Sequence, residues 1–237
     1  MIHIRTFIRL ILTESGAGDG HSLERWCGVR VAVFGATGRT GHPLVEQALA
    51  AGHEVRALAR DPSKLPISHE RLAVVRGDVL DAAKVEEVIA GTEAVLSALG
   101  GTKTSPKDVQ TRGTENIVAA MERHGVRRLV SLTGAGVPDE GDEPKLSDRA
   151  ITFLLKKLQP DVLEDGVRHA EVIKASDLDW VIVRGPRLTE GPKRGGYRVG
   201  MVGKNSGTRI SRADLAEFML EQTADDSRLR RMPMVSY

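Results

Sequence analysis

The chain has 237 residues, 34 basic against 32 acidic, a formal charge of +2 and one cysteine. That length suits a single domain with a substantial core, and the near-balanced charge argues against a nucleic-acid partner. Aromatics amount to 3%, too few for base-stacking platforms, and the lone Cys27 points to a reducing, cytoplasmic setting.

Residues 1–28 differ in character from the rest of the chain. Ile2, Ile4, Phe7, Ile8, Leu10, Ile11 and Leu12 are interrupted by Arg5 and Arg9, and give way to Ser15-Gly16-Ala17-Gly18-Asp19-Gly20. The run is too short and too charged to span a bilayer, and it lacks the unbroken apolar block of a secretory signal. It reads as an extension, either a disordered tail or a non-native start, with an arginine-bearing targeting segment as the alternative. No membrane partner is expected.

From Val29 to the C-terminus at Tyr237, strand and helix patterns alternate. Val31-Ala32-Val33-Phe34 runs into Gly35-Ala36-Thr37-Gly38-Arg39-Thr40-Gly41, and a helix pattern begins at about Thr40. An apolar strand, a glycine turn and a helix start, in that order, would place unpaired N–H groups and the positive end of a helix dipole against a pyrophosphate. Gly35 would allow the sharp exit from the strand, Gly38 the close approach of phosphates, and Gly41 tight packing of helix on strand. The spacing is Gly-x-x-Gly-x-x-Gly, so its weight comes from its context.

The second strand, His53 to Ala59, ends at Arg60-Asp61, and Arg60 lies nineteen residues beyond Gly41. An acid there would bind the ribose 2′-hydroxyl of NAD, whereas an arginine suits the 2′-phosphate of NADP. Arg39 and Lys64 are further candidates for that phosphate. The alternative is that Arg60 is a solvated residue pairing with Asp61.

The first helix carries Leu44, Val45, Ala48 and Leu49 on one face and stops at Gly52. A third strand at Leu72–Arg76, a helix at 82–90 stopping at Gly91, a strand at Ala94–Leu99, a helix bearing Ile117, Val118 and Met121 up to Gly125, and a strand at Arg128–Leu132 complete the regular half. Such alternation with short links predicts an α/β fold, a Rossmann-type doubly wound parallel sheet in a single domain. Beyond it, Thr133 to Glu143 reads as a loop at the carboxyl edge. Two helices split by Pro160 come next, one with Phe153, Leu154 and Leu158, the other with Leu163, Ala170 and Ile173, and then a strand at Trp180–Val183. Residues 185–207 read as a flexible lid, and Ser211 with Asp214 as a capping box opening a last helix. There are no internal repeats and no low-complexity tract.

The glycine stretch, Ala57 to Leu65, Gly77-Asp78-Val79, Gly113-Thr114-Glu115-Asn116-Ile117-Val118 and Trp180-Val181-Ile182-Val183-Arg184 before Pro186 and Arg187 together resemble the atypical short-chain dehydrogenases/reductases. The similarity covers about residues 29–237, and is strongest to the group that holds biliverdin-IXβ reductase (flavin reductase) and bacterial NAD(P)H-binding proteins. The resemblance implies NADP(H) as cofactor. Gly35, Thr37, Gly38, Arg39, Thr40 and Gly41 would lie along its phosphates and Arg60 at the adenosine ribose phosphate. Asp78 and Val79 would lie beside the adenine, and Leu99, Gly100 and Thr133 along the nicotinamide half.

The departures bear on chemistry. Most members of the superfamily carry Tyr-x-x-x-Lys, whose lysine lowers the tyrosine pKa for proton exchange with a carbonyl. Here only Tyr197 and Tyr237 exist, neither with a lysine four residues on, and 161–176 has no tyrosine. Gly134 replaces a serine of the biliverdin/flavin reductase and Arg187 a histidine, so no catalytic residue is assigned. Hydride transfer to a flavin, quinone or similar conjugated small molecule is the expected chemistry, since the charge that develops there is delocalised and water can protonate it. Arg184 or Arg187 could stabilise such an anion or bind an acidic substrate tail; the alternative for Arg187 is contact with a cofactor phosphate or a surface carboxylate. A non-catalytic, cofactor-sensing protein similar to NmrA-like regulators is the alternative. His169 is expected on a solvated helix face; Asp161, Glu164 and Asp165 are expected as a charged face without a metal. The oligomeric state, monomer or dimer, stays open.

Overall fold

The computed structural model describes residues 28–102 and 105–237; the extension expected before Val29 lies almost entirely outside them. Among these residues, ten strands and six helices run in the order β1 (Arg30–Phe34), α1 (Gly41–Ala50), β2 (Glu54–Ala59), β3 (Leu72–Arg76), α2 (Ala82–Ile89), β4 (Ala94–Ser97), α3 (Val109–His124), β5 (Arg128–Gly134), α4 (Leu146–Leu158), α5 (Pro160–Ala175), β6 (Asp179–Gly185), β7 (Arg187–Thr189), β8 (Arg198–Gly200), β9 (Arg209–Ser211), α6 (Arg212–Glu221) and β10 (Met234–Ser236). Pro160 opens α5 at a position where its missing N–H costs nothing.

Eight strands form the main sheet in the order β3-β2-β1-β4-β5-β6-β10-β8, and β7 pairs with β9 apart from it. All neighbours in the main sheet run parallel except β8, which is antiparallel to β10. Strand alternation makes the two-sided core. Val31 and Val33 join Leu44, Val45, Leu96, Val130 and Phe218 on the α1/α6 face. Ala32 and Phe34 join Val85, Ile89, Val95, Ile117, Met121 and Ile173 on the face of α2, α3 and α5. A sheet covered on both faces needs such continuous apolar strands.

The strand order reverses between β1 and β4: β2 and β3 lie to one side of β1, and β4, β5 and β6 to the other. In open α/β sheets ligands bind at the carboxyl edge of that reversal. The glycine turn after β1 sits there, and so does the start of the segment after β4.

The second half corrects the expectation of a flexible stretch at 185–207. β7 and β8 lie within it, and its middle is held by Asp214, whose carboxylate accepts Arg194 N–H at 3.0 Å and Gly195 N–H at 2.7 Å. Asp214 also accepts from the Ser211 and Tyr237 hydroxyls. Burial would raise its pKa, yet these donors together hold it below the usual carboxylate value. The Ser211 side chain accepts Asp214 N–H at 3.0 Å, half of the expected capping box. β10 is not visible in the sequence; it continues the sheet beside β6. α4 is unlike the other helices: none of its residues is buried.

Candidate functional site

The glycine turn is shaped by close backbone approach. Gly35 has φ +75°, and a Cβ there would lie 2.5 Å from the Ala98 carbonyl oxygen. At Gly41 a Cβ would lie 2.0 Å from the Gly35 carbonyl oxygen, so the first turn of α1 rests directly on the turn backbone. Gly38 N–H closes the turn on Gly35 O at 2.9 Å. The α1 N-terminus, with no acidic residue in its first turn, is thus brought to the sheet edge with its dipole uncompensated.

Beside this turn is a cleft of about 130 Å³, lined by Gly35, Thr37, Gly38, Arg60, Asp78, Val79, Leu99 and Gly100 among others. These eight sequence-predicted residues therefore meet in one place. Arg60 is exposed at the end of β2 and forms no ion pair with its neighbour. The Asp61 carboxylate accepts from the Ser63 hydroxyl at 2.6 Å and lies 3.9 Å from Lys64 Nζ. The Ser63 hydrogen bonds are the main reason its pKa falls below the usual value. Gly113 in α3 sits against Val79, where a Cβ would lie 2.9 Å from a Val79 methyl, and Asn116 Nδ2 donates to Val79 O at 2.9 Å. That pair fixes the far wall of the cleft. Asn116 belongs to the Gly113–Val118 motif, but its partner is 37 residues away.

Three predicted phosphate-side residues do not line the cleft. Thr40 is buried as the residue before α1, and Gly41 is packed on Gly35. Arg39 points across to Glu190, which also accepts from Arg212 Nη1 at 2.9 Å. Lys64 does not line the cleft either.

Thr133 belongs to a second, larger cleft of about 400 Å³, bounded by the loop after β5, by Gly185-Pro186-Arg187, and by α4 and α5. Its lining is mostly apolar, with Val137, Ile151, Leu155, Leu163 and Met234, and Arg187 stands in it. No tyrosine lines either cleft. Tyr197 OH donates to Glu221 at 3.2 Å and Tyr237 OH to Asp214.

Arg184 is not available to a ligand. It is fully buried and bidentate to Asp142, at 2.6 and 2.8 Å, and it donates to Met232 O at 2.8 Å and Val137 O at 3.1 Å. Burial would raise the Asp142 pKa, but Arg184 and the Asp139 and Val202 amides bring it below the usual value. This pair ties the loop after β5 to β6 and thereby shapes the larger cleft.

His169 is also not solvated. It is 0% exposed, with Nδ1 2.7 Å from Thr114 Oγ1 and Nε2 3.2 Å from Ser131 Oγ. Asp165, four residues earlier, is buried too; it accepts Gln110 N–H at 3.0 Å and Thr111 N–H at 2.9 Å, at the start of α3. The expected charged face is therefore in part a buried seam between α5 and α3. Burial lowers the His169 pKa to about 4 from 6.5. Below pH 6.5 the unfolded chain binds a proton that the folded chain refuses, so this group makes stability fall as pH drops toward 4. His169→Gln is expected to flatten that slope by about 3 kcal/mol between the two limits. Urea unfolding at neutral and at mildly acid pH checks this; an unchanged slope would mean that the ring is protonated in the folded chain.

No group of three or more histidine, cysteine or acidic side chains suited to a metal occurs among the described residues. No described helix is long and apolar enough to cross a membrane.

A protein-family model described as NAD(P)H-binding matches residues 35–226. A 3-beta-hydroxysteroid dehydrogenase of Mycolicibacterium neoaurum is 32% identical over 136 residues; the match covers 52% of this chain and 37% of that enzyme. Among solved structures, a short-chain dehydrogenase/reductase from Veillonella parvula in complex with NADP has a TM-score of 0.74 at 21% identity, covering 88% of this chain and 94% of that one. An anaerobillin reductase from Escherichia coli O157:H7 has a TM-score of 0.72 at 20% identity, covering 87% and 96%. At these identities the structural likeness is one of fold. The family match begins at Gly35 and takes in all the residues of the two clefts except Phe34 and Met234, and the chain belongs to the NAD(P)H-binding family.

Proposed function

We propose that the chain is an NADPH-dependent reductase that transfers hydride to a conjugated acceptor such as a flavin or a quinone. The observation that carries this is the pairing of two clefts at one sheet edge. One carries the glycine turn and has at the end of β2 an arginine without a carboxylate partner among the described residues; the other is large, apolar and without tyrosine. The reductase and dehydrogenase names of the relatives support the same reading.

The residues present fit the coenzyme. The turn from Gly35 to Gly41 is drawn tight by backbone contacts at Gly35 and Gly41 that a Cβ would break, and the α1 N-terminus favours anionic phosphate there. Arg60 would take the 2′-phosphate, and Asp78 and Val79 would flank the adenine. Leu99 and Gly100 on one side and Thr133 on the other would bracket the nicotinamide, which supplies the hydride when bound in its reduced form. The apolar wall of the larger cleft would hold a flat acceptor and exclude water. Arg187 would face anionic charge on that acceptor. The chain contributes orientation and electrostatics, which such acceptors need more than a built-in acid.

Arg60→Ala is expected to weaken NADPH binding about 10- to 100-fold, the worth of a charge-assisted hydrogen bond, while leaving NADH nearly unchanged. Equal weakening of both would make Arg60 structural. Turnover is read from loss of NADPH absorbance with FMN, riboflavin and a series of quinones. Tight binding with no oxidation by any of them would replace the reductase reading with that of a coenzyme sensor.

A further inference from the structure

Among the described residues, the large apolar side chains left exposed all fall within residues 146–162. Leu146 is 84% exposed, Phe153 63%, Leu154 55% and Leu158 69%. At roughly 100° per residue, these four and Ala150 occupy one arc of about 140° on α4, which they share with Ser147 and Lys157. The opposite side of the same helix, with Thr152 and Leu155, lines the larger cleft. A helix this apolar on its outer face, with none of the described residues upon it, is made to meet something.

The charge around the face says what. Lys145, Arg149, Lys156 and Lys157 are all exposed, and none forms an ion pair with a carboxylate among the described residues. Lys157 Nζ lies 5.4 Å from the Phe153 ring centroid, its stem along the apolar arc. The one acid of α4, Asp148, accepts the Lys145 backbone N–H at 2.9 Å. On the first turns of α5, Asp161 is paired with Lys107 at 2.7 Å and Glu164 with Arg168 at 3.3 Å. A second copy of the chain seated here would bring four cations against four. An anionic surface would neutralise them.

We propose that α4 is a docking surface for an anionic lipid bilayer, lying in the headgroup plane with Leu146, Phe153, Leu154 and Leu158 inserted and the cations against lipid phosphates. An apolar face bordered on one side by Lys145, Arg149 and Lys156, with Lys157 within it, has the mixture of apolar and basic residues found on helices that lie on a membrane rather than cross it. This departs from the expectation of no membrane partner, which rested on the lack of a spanning segment. Because the other side of α4 walls the larger cleft, a lipid-dissolved acceptor, such as a quinone, would reach the cleft past this helix. That last step rests on the reductase reading, whereas the docking does not.

The test is co-sedimentation of the full chain with vesicles of phosphatidylcholine alone or mixed with phosphatidylglycerol, without coenzyme. Binding to the mixed vesicles is expected to be at least about 10-fold stronger and to weaken with salt. Leu154→Ser with Leu158→Ser, and separately Lys156→Glu with Lys157→Glu, are each expected to reduce it about 10-fold without changing the melting temperature. Three results would overturn the proposal: no sedimentation with anionic vesicles, wild-type binding by both variants, or a dimer in solution that the serine pair dissolves. A melting temperature lowered by the serine pair would also count against it, since the face would then be packed within the chain. Vesicle binding with no turnover would leave the docking standing and remove only the reductase.

Discussion

Arg184→Met is expected to lower the folding free energy by about 3–5 kcal/mol, the range for removing one partner of a buried ion pair. The guanidinium is 0% exposed and satisfies both oxygens of Asp142, the Met232 carbonyl and the Val137 carbonyl. Methionine fills much of the volume and none of the hydrogen bonds. Asp142 would keep only the Asp139 and Val202 amides. Replacing both partners, Arg184→Met with Asp142→Leu, is expected to recover part of the loss, because no uncompensated carboxylate remains. Denaturant unfolding of the two single variants and the double variant closes the cycle. A single-variant loss below about 1 kcal/mol would mean that the pair is no stronger than one on the surface.

Gly41→Ala is expected to lose coenzyme binding and stability together. The added methyl would sit 2.0 Å from Gly35 O and 2.9 Å from Ala36 Cα, backbone atoms that cannot turn aside. Either α1 lifts from the turn or the turn opens, and overpacking of this kind costs about 1–3 kcal/mol. Coenzyme affinity is expected to fall at least about 10-fold, because the amides of the turn and the helix start move with it. Gly101→Ala, whose added methyl meets nothing within 4 Å, is the matched control and is expected to change neither. If Gly41→Ala binds NADPH as the parent does, the turn is not the phosphate site.

The difference between these two sites shows what could be read in the sequence. β1, the glycine turn, Arg60 at the end of β2 and Asp78-Val79 after β3 are announced by local pattern: an apolar run, a turn residue and an offset. Each comes to the smaller cleft because every parallel strand delivers its C-terminal residues to the same edge. Arg39 lies in the same motif, yet its direction depends on Glu190, 151 residues away, and no offset encodes that. Asp165 and His169 escape the sequence pattern for a related reason. With Gly166, Ala170 and Ile173 they make a buried stripe at helical spacing. Their polarity hides the stripe, since a polar residue counts as solvated until its partner on α3 is known. Arg184 ends an apolar strand and reads equally well as a ligand-binding cation or as one side of a buried pair. β7, β8 and β10 are three residues each, too short to show an alternation. They exist because distant backbone supplies the other half of each ladder.

The Asp214 carboxylate gathers the 194–195 backbone, the start of α6 and the side chain of Tyr237 around one pair of oxygens. Segments so joined have no inexpensive way to open one at a time, since releasing any of them strands donors belonging to the others. Residues 194–237 are therefore expected to come apart together rather than one segment at a time.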